Sequence, residues 1–357
     1  MEKKKVLLTG GGTAGHVTPN MALIPELKNL GYDILYVGSY DGIEKKLIED
    51  INVPYKGISS GKLRRYMSLK NFTDPFRVIK GYSEAKQIVK EYQPDVLFSK
   101  GGFVSVPVVL AAKKYKVPII IHESDMTPGL ANKISIPYAK MVCHNFPETA
   151  EHLPENKSLL TGSPIRAELM SCNSLAGLDL CGFTANKPVI MVTGGSLGSE
   201  SVNKAIRDAL PKLLDKYQIV HLCGKGKTDE SLKNTPGYIQ FEYIKDEMKD
   251  IFAMANLVIS RAGANAICEI QALKKPSILI PLPASSSRGD QILNAKSFEK
   301  QGFSKVLYEE NMTTEDLISA INDVYENKSQ YIENITNSSM NDAVTTIVNL
   351  IKETVES

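Results

Sequence analysis

Short apolar runs recur along the chain, each closed by a glycine-rich or polar turn and followed by apolar residues at helical spacing. The first run is Lys5-Val6-Leu7-Leu8-Thr9. It predicts a buried strand. After Gly10-Gly11-Gly12-Thr13-Ala14-Gly15-His16 come Met21, Ala22, Leu23, Leu27 and Leu30, which predict a helix. Thr18 with Pro19 reads as its N-cap and first turn. The alternation continues with strands at Ile34–Val37, Pro54–Ile58, Asp95–Ser99, Val117–Glu123, Met141–His144 and Ser158–Leu160. Helices are expected over Gly42–Glu49, Pro75–Tyr92 and Val104–Tyr115.

The opening theme returns after a pause near Thr161–Arg166. Pro188–Thr193 reads as a strand, Gly194-Gly195-Ser196-Leu197-Gly198-Ser199 as a second glycine turn, and Ala205, Ile206, Ala209, Leu210 and Leu213 as the next helix. Strands follow at Ile219–Leu222, Tyr238–Phe241, Leu257–Ser260 and Ser277–Pro281, with a helix over Asp246–Ala253. Asn265 and Glu269 are four apart and Gln291 and Asn294 three apart, so each pair shares a helical face. Apolar strands alternating with helices predict an α/β fold of parallel sheets covered on both faces. The repeated opening predicts two doubly wound domains, residues 1–163 and 164–339, facing each other across a cleft. The final helix, about residues 340–357, has an apolar stripe of Ala343, Ile347, Leu350 and Ile351 and is expected to pack back on the first domain.

Composition narrows this picture only slightly. The chain has 357 residues, 43% hydrophobic and 23% charged, enough for two soluble cores. A net charge of +2 names no partner class. The five cysteines form no CxxC pair, which argues against a disulfide framework or a zinc site and fits a reducing compartment. No signal peptide is expected, and no apolar run approaches the roughly 20 residues of a membrane span. Residues 61–82 are the exception: six basic residues against Asp74 give a local net charge of +5, with Leu63, Tyr66, Met67, Leu69, Phe72, Phe76, Val78 and Ile79 interleaved. That mixture reads as a solvated basic loop and helix face, or as a surface that lies on anionic lipid.

Candidate chemistry begins at the first glycine turn. Gly10, Gly12 and Gly15 satisfy the dinucleotide pattern G-x-G-x-x-G. The acid that should bind ribose at the end of the second strand is absent, because that strand ends in Gly38-Ser39. His16 closes the turn, where a helix N-terminus disfavours imidazolium and leaves a neutral ring able to accept a proton. His122-Glu123, at a strand end, is either catalytic or a buried pair that shapes its loop. No D-x-D stands between strands, and no metal cluster is expected.

Taken in order, the turns Gly11–His16, Gly101-Gly102-Phe103 and Gly194–Gly198, with His122-Glu123-Ser124-Asp125, Gly162-Ser163-Pro164-Ile165-Arg166, Ser260-Arg261-Ala262-Gly263-Ala264, Asp290-Gln291 and Asn294-Ala295, resemble the MurG family. These are the bacterial N-acetylglucosaminyltransferases that make lipid II from lipid I. The resemblance covers almost the whole chain. It implies a GT-B fold, UDP-N-acetylglucosamine as donor, lipid I as acceptor and inversion at the sugar; with helix N-termini and Arg166 available for the diphosphate, no metal or other cofactor is required. It implies that Ser196 meets the donor phosphate, Ile244 uracil, Glu269 the ribose and Gln291 the sugar hydroxyls, with Asn294 nearby. Ala264, Asn265, Ala266, Ile267 and Cys268 line the same helix start. Arg166 offers donors at the domain junction, and Thr13, Ala14, Gly15 and His16 face the reacting centre. His16 is the candidate base and Asp125 the alternative. Arg64, Arg65, Leu69, Lys70, Phe72, Phe76, Arg77, Ile79 and Lys80 then become a membrane surface on the cytoplasmic side. A cell-wall synthesis complex is a further partner class; nucleic acid is not one. The chain departs from the family at Ala14 (often glycine), Leu197 (commonly glutamine), Asn265 (commonly apolar) and Asp125 (often asparagine). Rival readings are another glycolipid glycosyltransferase, a UDP-sugar epimerase, a non-catalytic sugar-nucleotide scaffold or, more distantly, a dehydrogenase.

Overall fold

The computed structural model describes residues 3–61, 74–195, 197–286, 289–338 and 342–357. Two compact units emerge, Met1–Arg166 with Asp342–Ser357, and Ala167–Asn341. Both are built on parallel sheets, as the apolar runs predict.

In the first unit the elements run β1 (Lys5–Thr9), α1 (Thr18–Asn29), β2 (Asp33–Ser39), α2 (Ile43–Glu49), β3 (Tyr55–Ile58), α3 (Asp74–Tyr92), β4 (Val96–Ser99), α4 (Ser105–Lys114), β5 (Ile119–Glu123), α5 (Leu130–Ser135), β6 (Met141–His144) and β7 (Ser158–Leu160). The seven strands lie in the order β3-β2-β1-β4-β5-β6-β7. Successive side chains alternate between two cores. Leu7, Leu97, Ile119 and Ile121 enter one, with Ala85, Val89, Val108 and Ala112 of the covering helices. Val6, Leu8, Val96, Phe98 and Ile120 enter the other. Burial on both faces is why these strands read as unbroken apolar runs rather than alternating ones.

The second unit continues with α6 (Ser174–Cys181), β8 (Val189–Thr193), α7 (Glu200–Leu213), β9 (Gln218–Leu222), β10 (Tyr238–Phe241), α8 (Met248–Met254), β11 (Leu257–Ser260), α9 (Ala264–Ala272), β12 (Ser277–Leu279), α10 (Asp290–Lys300), β13 (Ser304–Val306), α11 (Thr314–Glu326) and α12 (Lys328–Thr336). Its six strands follow the order β10-β9-β8-β11-β12-β13. The last helix, α13 (Ala343–Glu356), returns to the first unit. Its Ile347, Val348 and Ile351 are buried in the same core as Leu23, Ile24 and Leu27 of α1.

Two local expectations are corrected. Thr18 is the first residue of α1 rather than its cap. A 3-10 turn over Ala14–His16 leads straight into the helix, and the Val17 carbonyl already accepts the first intrahelical bond, from Met21 N–H at 3.0 Å. The helix expected from Asp246 starts at Met248, with Glu247 at its N-cap.

Candidate active site

Strand order reverses between β1 and β4 in the first unit and between β8 and β11 in the second. Ligands of open parallel sheets bind at such reversals, outside the carboxyl ends of the strands. Both places are occupied by the glycine turns.

In the first unit the turn after β1 is held from beneath. The Tyr36 hydroxyl donates to Gly10 O at 2.8 Å, and Asn20 Nδ2 donates to Thr9 O and to the Tyr36 hydroxyl, both at 3.1 Å. Gly11 N–H reaches Gly101 O at 3.3 Å. A methyl group on Gly102, whose φ is +86°, would lie 2.2 Å from Gly11 O, so the two turns can touch only through glycine. Thr13 and Ala14 are exposed; Gly15 and His16 are half-buried. His16 Nδ1 lies 3.0 Å from Thr13 Oγ1. Burial, and then the Lys100 ammonium, lower the His16 pKa from 6.5 to about 4; a Gly11 backbone bond and the Glu44 carboxylate oppose them. The ring is thus neutral near pH 7, mainly through desolvation and Lys100 rather than the helix terminus.

Lys100, at the end of β4, is fully buried. Its Nζ donates to His122 Nδ1 at 2.8 Å and to Ser124 Oγ. That fixes the His122 tautomer, so Nε2–H donates to Gly162 O at 2.9 Å. Glu123 is 4% exposed and accepts from Ser124 N–H (2.8 Å), Asp125 N–H (3.0 Å), Gly129 N–H (3.0 Å) and Asn132 Nδ2 (2.8 Å). His122-Glu123 therefore takes the second of its two readings, the buried pair that shapes the 124–129 loop. That loop carries the half-buried Asp125. Arg166 ends the first unit; its Nε is buried with no hydrogen-bond partner among the described residues.

In the second unit Ser196 lies outside the described residues. The rest of its turn packs on the loop after β9: a methyl group on Gly198 (φ +68°) would lie 1.9 Å from Cys223 O. Leu197 is exposed. Ser199 caps α7, its Oγ accepting from Val202 N–H at 3.4 Å. Arg261, at the end of β11, ties this edge together. Its NH2 donates to Ser199 Oγ (2.6 Å) and Ser201 Oγ (3.0 Å), and its NH1 to Ile280 O (3.0 Å) and Pro281 O (3.2 Å). NH1 also pairs with Glu309 at 2.5 Å.

Most of the expected donor residues lie in this unit. Asn265, Ala266 and Glu269 are half-buried on α9, whereas Ala264 and Cys268 are buried and Ile267 enters the core. Gln291 Oε1 accepts from Leu282 N–H at 3.1 Å. Asn294 is fully buried and its Nδ2 donates to Ala262 O at 3.3 Å. That bond holds the 261–263 turn from within. Ile244 is 6% exposed, on the loop after β10.

Of the expected membrane surface, Arg64, Arg65, Leu69, Lys70 and Phe72 lie outside the described residues, and Phe76 is on α3. Arg77 and Lys80 are exposed on α3 and Ile79 is 67% exposed. Among the described residues no helix is long and apolar enough to cross a membrane. Among them, too, no group of three His, Cys, Asp or Glu side chains is placed to hold a metal ion. Lys100 and Glu44, which bear on His16, are not revealed by apolar periodicity, since both act through partners on other elements.

The profile of the glycosyltransferase family 28 N-terminal domain matches residues 6–144, and that of the family 28 C-terminal domain matches residues 189–351. A relative from Lachnospira eligens is 62% identical over 350 residues, 98% of this chain and 99% of its own; it is named UDP-N-acetylglucosamine–N-acetylmuramyl-(pentapeptide) pyrophosphoryl-undecaprenol N-acetylglucosamine transferase. The crystal structure of Acinetobacter baumannii MurG superposes with a TM-score of 0.78 at 26% identity, covering 98% of this chain and 99% of that one. The UDP-GlcNAc 2-epimerase of Neisseria meningitidis, bound to UDP-GlcNAc, has a TM-score of 0.68 at 13% identity, covering 98% and 100%, a likeness of fold alone.

Proposed function

The chain belongs to glycosyltransferase family 28 and, within it, to the lipid I N-acetylglucosaminyltransferases, and on that premise we propose that it transfers N-acetylglucosamine from UDP-N-acetylglucosamine to lipid I. The observation that carries this reading is the near-full-length identity with the Lachnospira eligens relative. The acceptor's 4-hydroxyl oxygen attacks the anomeric carbon from the face opposite UDP. The bond from that carbon to the β-phosphate oxygen breaks and its electron pair leaves on UDP. The hydroxyl proton passes to His16, or to Asp125 if His16 is not the base.

The second unit supplies the donor site. Ser196 and the N-terminus of α7 meet the diphosphate, where oriented N–H groups favour an anion. Glu269 accepts from the ribose hydroxyls, Ile244 meets uracil through its backbone, and Gln291 orients the sugar. Arg166 adds a planar fork of donors for the leaving charge. These groups neutralise the diphosphate without calling on a metal ion.

The test is transfer of labelled N-acetylglucosamine from UDP to a soluble lipid I analogue without added metal. Labelled disaccharide product is expected; free epimerised UDP-sugar would favour the epimerase instead, and UDP-N-acetylglucosamine binding with no turnover the scaffold.

The basic stretch through Arg77 and Lys80 fits docking on an anionic membrane surface from the cytoplasmic side, where a lipid-linked acceptor is met. Each basic residue near such a surface contributes about 1 kcal/mol. The protein is expected to sediment with vesicles containing anionic phospholipid, and less so as salt rises. Equal sedimentation with zwitterionic vesicles would sink this reading.

A further inference from the structure

The first glycine turn already holds an anion, and it belongs to the chain. Glu44, in the first turn of α2, is fully buried. One carboxylate oxygen accepts Gly12 N–H at 3.2 Å; the other accepts Ser39 N–H at 2.9 Å and the Ser39 hydroxyl at 2.5 Å. The walls of this cradle are glycines. A methyl group on Gly11 would lie 2.6 Å from the Glu44 carboxylate, one on Gly38 2.6 Å from its Cγ, and one on Gly42 2.2 Å from its oxygens. Gly11 and Gly42 are thus kept bare by Glu44, and Gly38 by Glu44 together with the Tyr55 hydroxyl, 2.4 Å from the same methyl.

Backbone N–H groups of a glycine turn closing on oxygens is the chemistry by which such turns take phosphate. In a dinucleotide-binding unit the acid after the second strand faces ribose and the turn is left for the pyrophosphate. Here the acid reaches the turn itself and takes from Gly12 N–H a charge-assisted bond that a diphosphate would otherwise make, its other two bonds coming from Ser39 at the end of β2. The turn of the second unit differs: Gly195 N–H bonds the neutral Thr193 Oγ1 at 3.3 Å.

We propose that Glu44 is a positioning residue, the resident anion of the first glycine turn, which fixes Thr13–His16 for the transfer and closes that turn to a nucleotide diphosphate. The inference rests on the transferase reading for its effect on rate, but not for the anion site itself. Glu44 acts through Gly12 N–H, one residue before Thr13, so its loss displaces the 13–16 segment and leaves the second unit untouched.

Two variants separate charge from volume. E44Q keeps the shape and loses the charge; E44A empties the cradle. The first readout needs no turnover: the thermal midpoint of each protein in sodium formate against sodium chloride at equal ionic strength. E44A is expected to recover stability in formate, which binds only the folded cradle, while the wild type does not respond. The second readout is kinetic. E44Q is expected to lose kcat on the order of tenfold, as misplacement of a reacting group does, with UDP affinity within about twofold of wild type, and formate is expected to restore part of E44A's kcat. Wild-type kcat in E44Q overturns the proposal. So does a matching loss of UDP affinity, or an E44A that formate neither stabilises nor reactivates. If the wild type does not transfer at all, the transferase reading falls, and the formate response still decides whether Glu44 is the turn's anion.

Discussion

His16→Ala is expected to lower kcat by about 10²–10⁴-fold, the range that a positioned general base contributes, with UDP affinity unchanged. The split follows from where the groups sit. His16 lies in the 3-10 turn at the head of α1, in the first unit, and every residue proposed for uracil, ribose and sugar lies in the second. Its role requires the tautomer in which Nδ1–H is donated to Thr13 Oγ1, 3.0 Å away, so that Nε2 keeps its lone pair. The pH dependence carries a second signature. The active form is the neutral ring, and burial with Lys100 hold its pKa at about 4. Activity limited by His16 therefore stays level as pH falls through 6.5 and is lost only as pH nears about 4. A kcat/KM profile of the free enzyme with its acid limb at 6.5 would contradict this. A His16→Ala protein with wild-type kcat would pass the role of base to Asp125.

The second large effect is expected at Arg261. Replacing it by methionine keeps much of the volume and removes five contacts: two serine hydroxyls, two carbonyls and the Glu309 carboxylate. Breaking a buried ion pair costs about 3–5 kcal/mol because the partner charge is stranded. Glu309 is partly solvated, its side chain 24% exposed, so the lower end, about 3 kcal/mol, applies. The functional consequence is narrower. Arg261 holds Ser199, the cap of α7, so Arg261→Met loosens the helix start that faces the diphosphate. UDP affinity is expected to fall on the order of a hundredfold, the worth of one or two charged hydrogen bonds. Uridine, which carries no phosphate, should keep its affinity within about twofold. Calorimetry of both ligands with both proteins is the check. A parallel loss for UDP and uridine would mean general damage to the unit, and unchanged UDP affinity would remove Arg261 from the phosphate argument.

How far the chain could be read beforehand depended on what each signal encodes. β1, β5 and β8 are buried on both faces, so their composition announces them. The glycine turns were legible because a strand must end in some turn, and glycine takes the positive φ of Gly12, Gly102 and Gly195, between 85° and 86°, with least strain. Polar residues whose partners are remote in sequence gave no such signal. Lys100 meets His122 and Ser124, 22 and 24 residues away, and Arg261 meets Ser199 across 62. Glu44 resembles any solvated acid in a helix's first turn, and only the three-dimensional path of β2 shows that it folds back into the glycine turn.

The return of α13 to the first unit makes the order of synthesis differ from the order of completion. The first unit leaves the ribosome with one core still missing Ile347, Val348 and Ile351. The second unit, an unbroken stretch from Ala167 to Asn341, is made whole in the meantime. At bacterial or eukaryotic elongation rates the gap from residue 166 to residue 357 lasts roughly ten to forty seconds. Throughout it the open face beside α1 is a place where chaperones can engage the nascent chain, and a premature stop anywhere in the second unit would leave the first one unclosed as well.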